Sequence, residues 1–199
     1  MTKPICLLLA LLAGCASSPP SQFFTLSADP APRLSPAAQS DYSIVVGPVE
    51  VPESVDRPQL VLRVSENRVR ILEEARWAEP LRAAIPGVIA RDLAQQLGAR
   101  RVLAYPQDVE SFDYQVLLEV LRFDSVLGEA ATVEIAWSVK PANGGERRFG
   151  RSLVREPVQG EGYEALVAAH SRALHAIGGE IARTFKALNG RPREGGDPV

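Results

Sequence analysis

The sequence is poor in cysteine and histidine, the side chains that many metal and nucleophilic sites use. Its 199 residues include two cysteines and two histidines. His170 and His175 are five positions apart, whereas two helical histidines bind one zinc ion at i, i+3 or i+4 spacing. No serine lies in a Gly-x-Ser-x-Gly nucleophile elbow. The sequence therefore predicts no enzyme, no metal and no cofactor; we expect His170 in the core and His175 at the surface.

A surplus of basic charge and a long apolar run are also missing. The 22 basic and 24 acidic side chains give a formal charge of −2, which does not favour nucleic acid as a partner. The apolar run at residues 5–13 is nine residues long, while a transmembrane helix needs roughly 20. Its length and position fit the hydrophobic region of a secretory signal peptide.

The run ends in Leu12-Ala13-Gly14-Cys15, which resembles the bacterial lipoprotein signal. In that signal an apolar residue and two small residues precede a cysteine that becomes the lipidated first residue. The alternative is an ordinary secretory signal in which Cys15 is incidental. Because Ala16 follows the cysteine instead of aspartate, the resemblance implies the outer membrane, with the body facing the periplasm. We therefore expect a signal peptide at 1–14 and acyl chains such as palmitate on Cys15.

The mature chain is predicted to contain a tether, one domain and a tail. Residues 15–40 are rich in Ser, Pro and Ala, which is typical of a tether, with a first strand at 23–27. Docking of this strand is favoured because two adjacent phenylalanines would otherwise be exposed, and it leaves a reach of at most about 25 Å. Residues 41–188 are expected to form the domain and 189–199 a disordered tail.

Hydrophobic periodicity predicts an α+β domain with an antiparallel or mixed sheet packed against two long helices. Pro48 within the first domain strand indicates an edge strand or a bulge. The first helix is expected from Trp77 to Leu97, with a kink or a break at Pro86. Strands are expected at 43–51, 59–64, 68–72, 101–105, 114–121, 132–139 and 147–156. The second helix, Gly162 to Leu188, is predicted to bury Leu166, His170, Leu174, Ile177, Ile181 and Phe185.

Two stretches are distinctive in combination. The first contains Gly-Pro-Val-x-x-Pro at 47–52 and Asp-Arg-Pro-Gln at 56–59, and the second is Arg-Trp-Ala-Glu-Pro-Leu at 76–81. Together they resemble the ABC-transport auxiliary lipoprotein family of the PqiC/YmbA type, over nearly the whole mature chain. Members often carry an aromatic-aliphatic pair where this chain has Ser54-Val55.

The resemblance implies a non-catalytic lipoprotein subunit of an envelope lipid-transport system. Its partners would be an MCE-domain tunnel or shuttle protein and an inner-membrane permease or ABC transporter. The lipoprotein would dock the tunnel at the outer membrane and support membrane integrity, as a homo-oligomeric ring if the tunnel is a hexamer. The alternative is a structural lipoprotein of outer-membrane biogenesis that binds another assembly factor or peptidoglycan.

The stiff loop from Pro52 to Pro58 predicts either a presented contact surface or a turn held by an Asp56–Arg57 ion pair. For Trp77 and Glu79 the structural alternatives are a hydrophobic staple and an interaction with the helix dipole. The candidate partner-contact residues are Val55, Asp56, Arg57, Pro58 and Trp77.

Overall fold

The computed structural model describes residues 20–28, 40–106 and 111–189. Within these residues the chain forms eight strands and two helices, so the predicted α+β class is confirmed. The predicted signal peptide, Cys15, most of the tether and the tail from residue 190 lie outside the described residues. The strands are β1 (Gln22–Phe24), β2 (Ser40–Glu50), β3 (Gln59–Ser65), β4 (Arg68–Trp77), β5 (Ala99–Ala104), β6 (Tyr114–Val126), β7 (Ala130–Pro141) and β8 (Arg148–Pro157), and the helices are α1 (Leu81–Leu97) and α2 (Gly162–Asn189).

The larger sheet is mixed and has the strand order β5-β2-β6-β7-β8. β2 pairs in parallel with both β5 and β6, while β6, β7 and β8 form the antiparallel meander that the sequence predicts. One face of the meander is buried because apolar residues recur at every second position. The buried residues are Val116, Leu118 and Val120 in β6 and Val133, Ile135, Trp137 and Val139 in β7.

Both helices pack against the larger sheet, α1 over β2 and β5 and α2 over β7 and β8. All six residues of the predicted α2 stripe are buried, including His170. The helices also contact each other. A Cβ added at Gly178 would lie 3.2 Å from the Cβ of Asp92, so glycine at this position permits the close approach of α2 to α1.

The first helix begins four residues later than the sequence predicts. β4 continues to Trp77, and Leu81 is the first helical residue. Pro80 is extended, with φ −57° and ψ 138°, and a residue that precedes proline also avoids the helical region. Glu79 therefore lies before the helix and not in its first turn. α1 then continues through Pro86, so the predicted break into two helices is wrong.

A smaller sheet with the order β1-β4-β3 fastens the N-terminal segment to the domain. β1 runs parallel to β4, with Phe24 opposite Trp77. Phe24 contacts Tyr163 of α2 edge to face at 6.2 Å between ring centroids, and Leu26 is buried. Phe23 points to the other side and stays 65% exposed. Only Phe24 of the pair is therefore docked, and the expectation that both phenylalanines are covered is wrong for Phe23.

Pro48 lies at an irregularity inside the larger sheet. β2 has a neighbour on each side, and its register with β6 shifts between Val46 and Val49. The bulge is thus the correct alternative and the edge strand is wrong. Gly47 has φ +114°, and a Cβ there would lie 2.8 Å from the Cβ of Tyr105. Only glycine satisfies both conditions, and β2 ends three residues later, where the Pro52–Pro58 loop follows.

Candidate functional site

The loop between β2 and β3, residues 51–58, is ordered by its own backbone. The amides of Val55 and Asp56 both donate to the carbonyl of Pro52 at 3.0 Å. The amide of Arg57 donates to the carbonyl of Val55 at 2.9 Å. Proline at positions 52 and 58 restricts φ at both ends. The loop is therefore a fixed turn that presents a defined surface.

Asp56 fastens this loop to the first turn of α1. Its carboxylate, 12% exposed, forms an ion pair with Arg82. The predicted pairing of Asp56 with Arg57 is therefore wrong. Adjacent side chains in an extended or turned backbone leave in different directions, and α1 places a guanidinium closer to the carboxylate. The Nε of Arg57 is buried without a hydrogen-bond partner among the described residues.

Four of the five candidate contact residues share this loop, and the fifth lies behind it. Val55 is half-buried and packs against the core, while Pro58 is exposed. Trp77 is 7% exposed, and its amide donates to the carbonyl of Pro58 at 2.7 Å. The indole is thus placed to support the loop from the core. Whether these residues contact a partner stays a prediction.

Trp77 belongs to a buried aromatic cluster that sequence reasoning missed. The ring of His170 stacks on Phe123 with 4.1 Å between centroids and 8° between planes. Trp77 meets Phe123 and His170 edge to face, at 6.0 Å and 6.3 Å. The cluster joins β4, β6 and α2. No local pattern could have revealed it, because the three residues are far apart in sequence.

His170 also makes a buried polar contact. Its Nε2 lies 2.7 Å from the hydroxyl of Ser125, and its Nδ1 is buried with no hydrogen-bond partner among the described residues. Burial lowers the pKa of His170 to about 3. A serine beside a histidine is the geometry of a nucleophile and its base. However, an imidazole with this pKa is a weak base at neutral pH, so the pair fits a structural role best.

The side chain of His175 is 34% exposed, so the residue lies at the surface as predicted but is partly covered. Its Nδ1 lies 3.3 Å from the carboxylate of Asp92, which is fully buried in α1. In the part of the chain that the structure describes, no group of three or more His, Cys, Asp or Glu side chains could hold a metal ion.

A family model described as "ABC-type transport auxiliary lipoprotein component" matches residues 24–182. The chain belongs to this family. The membership that the two motifs indicated is thereby confirmed. The matched region begins at the docked Phe24 and includes the 51–58 loop, all strands from β2 to β8 and most of α2. No curated protein matches the chain significantly.

Two solved structures share the fold of this auxiliary lipoprotein. A crystal structure of an uncharacterized protein is 19% identical with a TM-score of 0.69, covering 84% of this chain and 99% of that one. A Xanthomonas campestris protein of the DUF330 family is also 19% identical with a TM-score of 0.65, covering 85% and 96%. At this identity the likeness establishes the fold alone. Neither described helix is long and apolar enough to cross a membrane.

The buried histidine predicts a pH dependence of stability. The unfolded imidazole takes up a proton near pH 6.5, while the folded one stays neutral down to about pH 3. The unfolded state therefore binds more protons in this window, and stability falls as the pH falls. Between pH 7 and pH 5 we expect His170 to lower the free energy of unfolding by about 2 kcal/mol. Urea denaturation at several pH values measures it.

The control for this prediction is His170→Phe. The phenyl ring can keep the stacking on Phe123 but has no titrating nitrogen, so the loss of about 2 kcal/mol between pH 7 and pH 5 should disappear. Other titrating groups contribute equally to both proteins and cancel in the comparison. The same pH dependence in wild type and variant would show that the folded imidazole becomes protonated, contrary to its burial.

Proposed function

We propose that this protein is a non-catalytic outer-membrane lipoprotein subunit of an MCE/ABC-type envelope lipid-transport system. In this role it docks the periplasmic MCE-domain tunnel or shuttle protein and supports membrane integrity. The observation that carries the proposal is the family match over residues 24–182, which ties the chain to ABC-type transport. The lipoprotein signal that ends at Cys15 supports the lipid anchor, and Ala16 supports the outer membrane.

The geometry of the 51–58 loop supports a docking role. Glu53 and Ser54 are exposed at its tip, while backbone hydrogen bonds and the Asp56–Arg82 ion pair hold the remainder. A loop that is ordered before binding loses little conformational entropy when a partner binds. The loop is therefore suited to a stable contact with one surface of a periplasmic protein.

The short anchor supports a position close to the membrane. β1 begins at Gln22, and an extended chain spans at most about 3.5 Å per residue. The seven residues from Ala16 to Gln22 therefore allow a separation of at most about 25 Å between the lipid and the first strand. A domain on such a tether can receive a periplasmic tunnel only at the membrane surface.

Affinity purification of the acylated full-length protein from detergent-solubilised envelopes tests the proposal. We expect the MCE-domain protein and its transporter subunits to co-purify. Arg82→Gln should reduce their recovery several-fold because it releases Asp56 and the loop, whereas Arg91→Gln, an exposed arginine on the same helix, should not. Retention by peptidoglycan without any MCE-domain protein would favour the structural lipoprotein instead.

A further inference from the structure

A small cleft lies between the two sheets, next to the 51–58 loop. β3 of the smaller sheet contacts β6 of the larger one, and the loop residues Pro52, Ser54 and Val55 border the opening. The cleft has a volume of about 180 Å³. Sites for small molecules usually have about 300–1,000 Å³. The space is therefore suited to one or two side chains of a protein partner and is too small for a lipid with its acyl chains.

Branched aliphatic side chains form the walls of this β3–β6 cleft. Val61 of β3 is almost fully buried, while Val69 of β4 and Leu121 of β6 remain 49% and 39% exposed. Val55 contributes from the loop. Three strands and the loop thus present aliphatic groups toward one space. Covering these groups with an apolar side chain of a partner would remove them from water and would favour binding.

Two arginines share one carboxylate at the side of the cleft. Arg63 Nη2 lies 2.7 Å from Asp124 Oδ1, and Arg122 Nε lies 3.2 Å from Asp124 Oδ2. The three groups therefore carry a net charge of +1. Asp124 is 16% exposed, whereas the side chains of Arg63 and Arg122 are 36% and 52% exposed. An incoming anion would meet the arginines and not the carboxylate.

Arg63 also has an unused hydrogen-bond donor. Its Nη1 donates to the carbonyl of Glu66 at 2.9 Å and its Nη2 to Asp124. Its Nε is buried, and no acceptor for it is found among the described residues. Buried donors in proteins nearly always have a partner. The hydrogen bonds within this chain therefore leave part of the donor capacity of the Arg63 guanidinium unused.

We infer that the β3–β6 cleft binds an acidic side chain flanked by branched aliphatic side chains on a segment of the periplasmic partner. The inference rests on the proposed function for the identity of that partner. The carboxylate would accept hydrogen bonds from the two guanidinium groups, and the aliphatic groups would cover Val69 and Leu121. The cleft thus extends the contact surface that begins at the 51–58 loop.

Binding of the purified MCE-domain protein to the acylated full-length protein in detergent tests the inference. The double variant Arg63→Gln/Arg122→Gln should weaken binding at least tenfold. The matched control is Arg151→Gln/Arg155→Gln on β8, which also removes two arginines that pair with carboxylates, and it should stay within twofold of wild type. Equal affinities of both double variants would overturn the inference.

A second variant controls for a folding defect, since Arg63→Gln/Arg122→Gln removes both arginines that pair with Asp124. Val69→Glu keeps all three charged groups and places a carboxylate on the exposed wall of the cleft. Repulsion of the incoming acidic side chain should again weaken binding at least tenfold, with an unchanged melting temperature. Binding within twofold of wild type would contradict a cleft that selects an acidic group.

A peptide probe separates failure of this inference from failure of the proposed function. Calorimetry of the acylated full-length protein with N-acetyl-Leu-Glu-Leu-amide should give saturable binding that Val69→Glu abolishes. The glutamine analogue should bind at least tenfold more weakly. If the peptide binds and the MCE-domain protein does not, the proposed function is wrong, while the inference that the cleft binds an acidic side chain stands. The absence of peptide binding would contradict the inference about the cleft. Saturable binding of phosphatidylglycerol vesicles that depends on Arg63 and Arg122 would also contradict it.

Discussion

Gly150→Ala is expected to lower the free energy of unfolding by about 3 kcal/mol. Gly150 of β8 pairs directly with Trp137 of β7. A Cβ at position 150 would lie 2.5 Å from Cε2 and Cη2 of the indole and closer still to Cζ2. The ring thus occupies the space that the side chain of any other residue would need.

The indole cannot move aside easily because its N–H is held in a buried hydrogen bond. Its Nε1 donates to the hydroxyl of Ser152 at 3.0 Å, and that hydroxyl in turn donates to the carboxylate of Glu180 on α2. Trp137 is 8% exposed. Displacing the ring would therefore break a buried hydrogen bond and disturb the contact between α2 and the sheet, each at a cost of about 1 kcal/mol or more.

The matched control is Gly87→Ala in α1. The nearest atom to a Cβ at this position is Arg91 Nη1 at 3.7 Å, and alanine stabilises a helix by about 0.5–1 kcal/mol relative to glycine. Chemical denaturation should therefore give opposite signs for the two substitutions. In a Trp137→Leu background, which lacks the indole, Gly150→Ala should lower the free energy of unfolding by less than it does in the wild type. A loss under 1 kcal/mol for Gly150→Ala alone would contradict the packing.

Periodicity in the sequence predicted those parts of the fold whose order is local. The alternation of apolar and polar residues around Val116 and Ile135 predicted the meander. The apolar stripe with a period of 3.6 residues through Leu166 and Phe185 predicted α2. The start of α1 was predicted too early, at Trp77, because this residue fits the apolar pattern of the helix. In the structure its amide instead donates to Pro58, a partner 19 positions earlier in the chain that no local pattern identifies.

The candidate site was predictable only in part for the same reason. Prolines in the 51–58 loop indicated a stiff turn, and the structure has one. The partner of Asp56 was mispredicted because Arg82 lies 26 positions away. The β3–β6 cleft depends on Arg63 and Asp124, which are 61 positions apart. Such a pair forms through the packing of two sheets, and spacing along the chain carries no signal for it.

Cys15→Ser is expected to move the protein from the membrane fraction to the soluble periplasm and to abolish its function. Serine provides no thiol for acylation, and each buried CH₂ of the predicted acyl chains would contribute about 0.8 kcal/mol to membrane binding. The domain should keep its melting temperature, since the first strand begins seven residues later, at Gln22. Fractionation, thermal denaturation and complementation of a deletion strain measure the three effects.

Cys6→Ser is the matched control, because residue 6 belongs to the predicted signal peptide and leaves with it. That variant should fractionate and complement like wild type. Ala16→Asp tests the sorting step separately: we expect an acylated protein that stays in the inner membrane and does not complement. Membrane retention and complementation by Cys15→Ser would mean that the domain reaches its place through protein contacts alone. The short tether would then have no part in presenting the 51–58 loop to its partner.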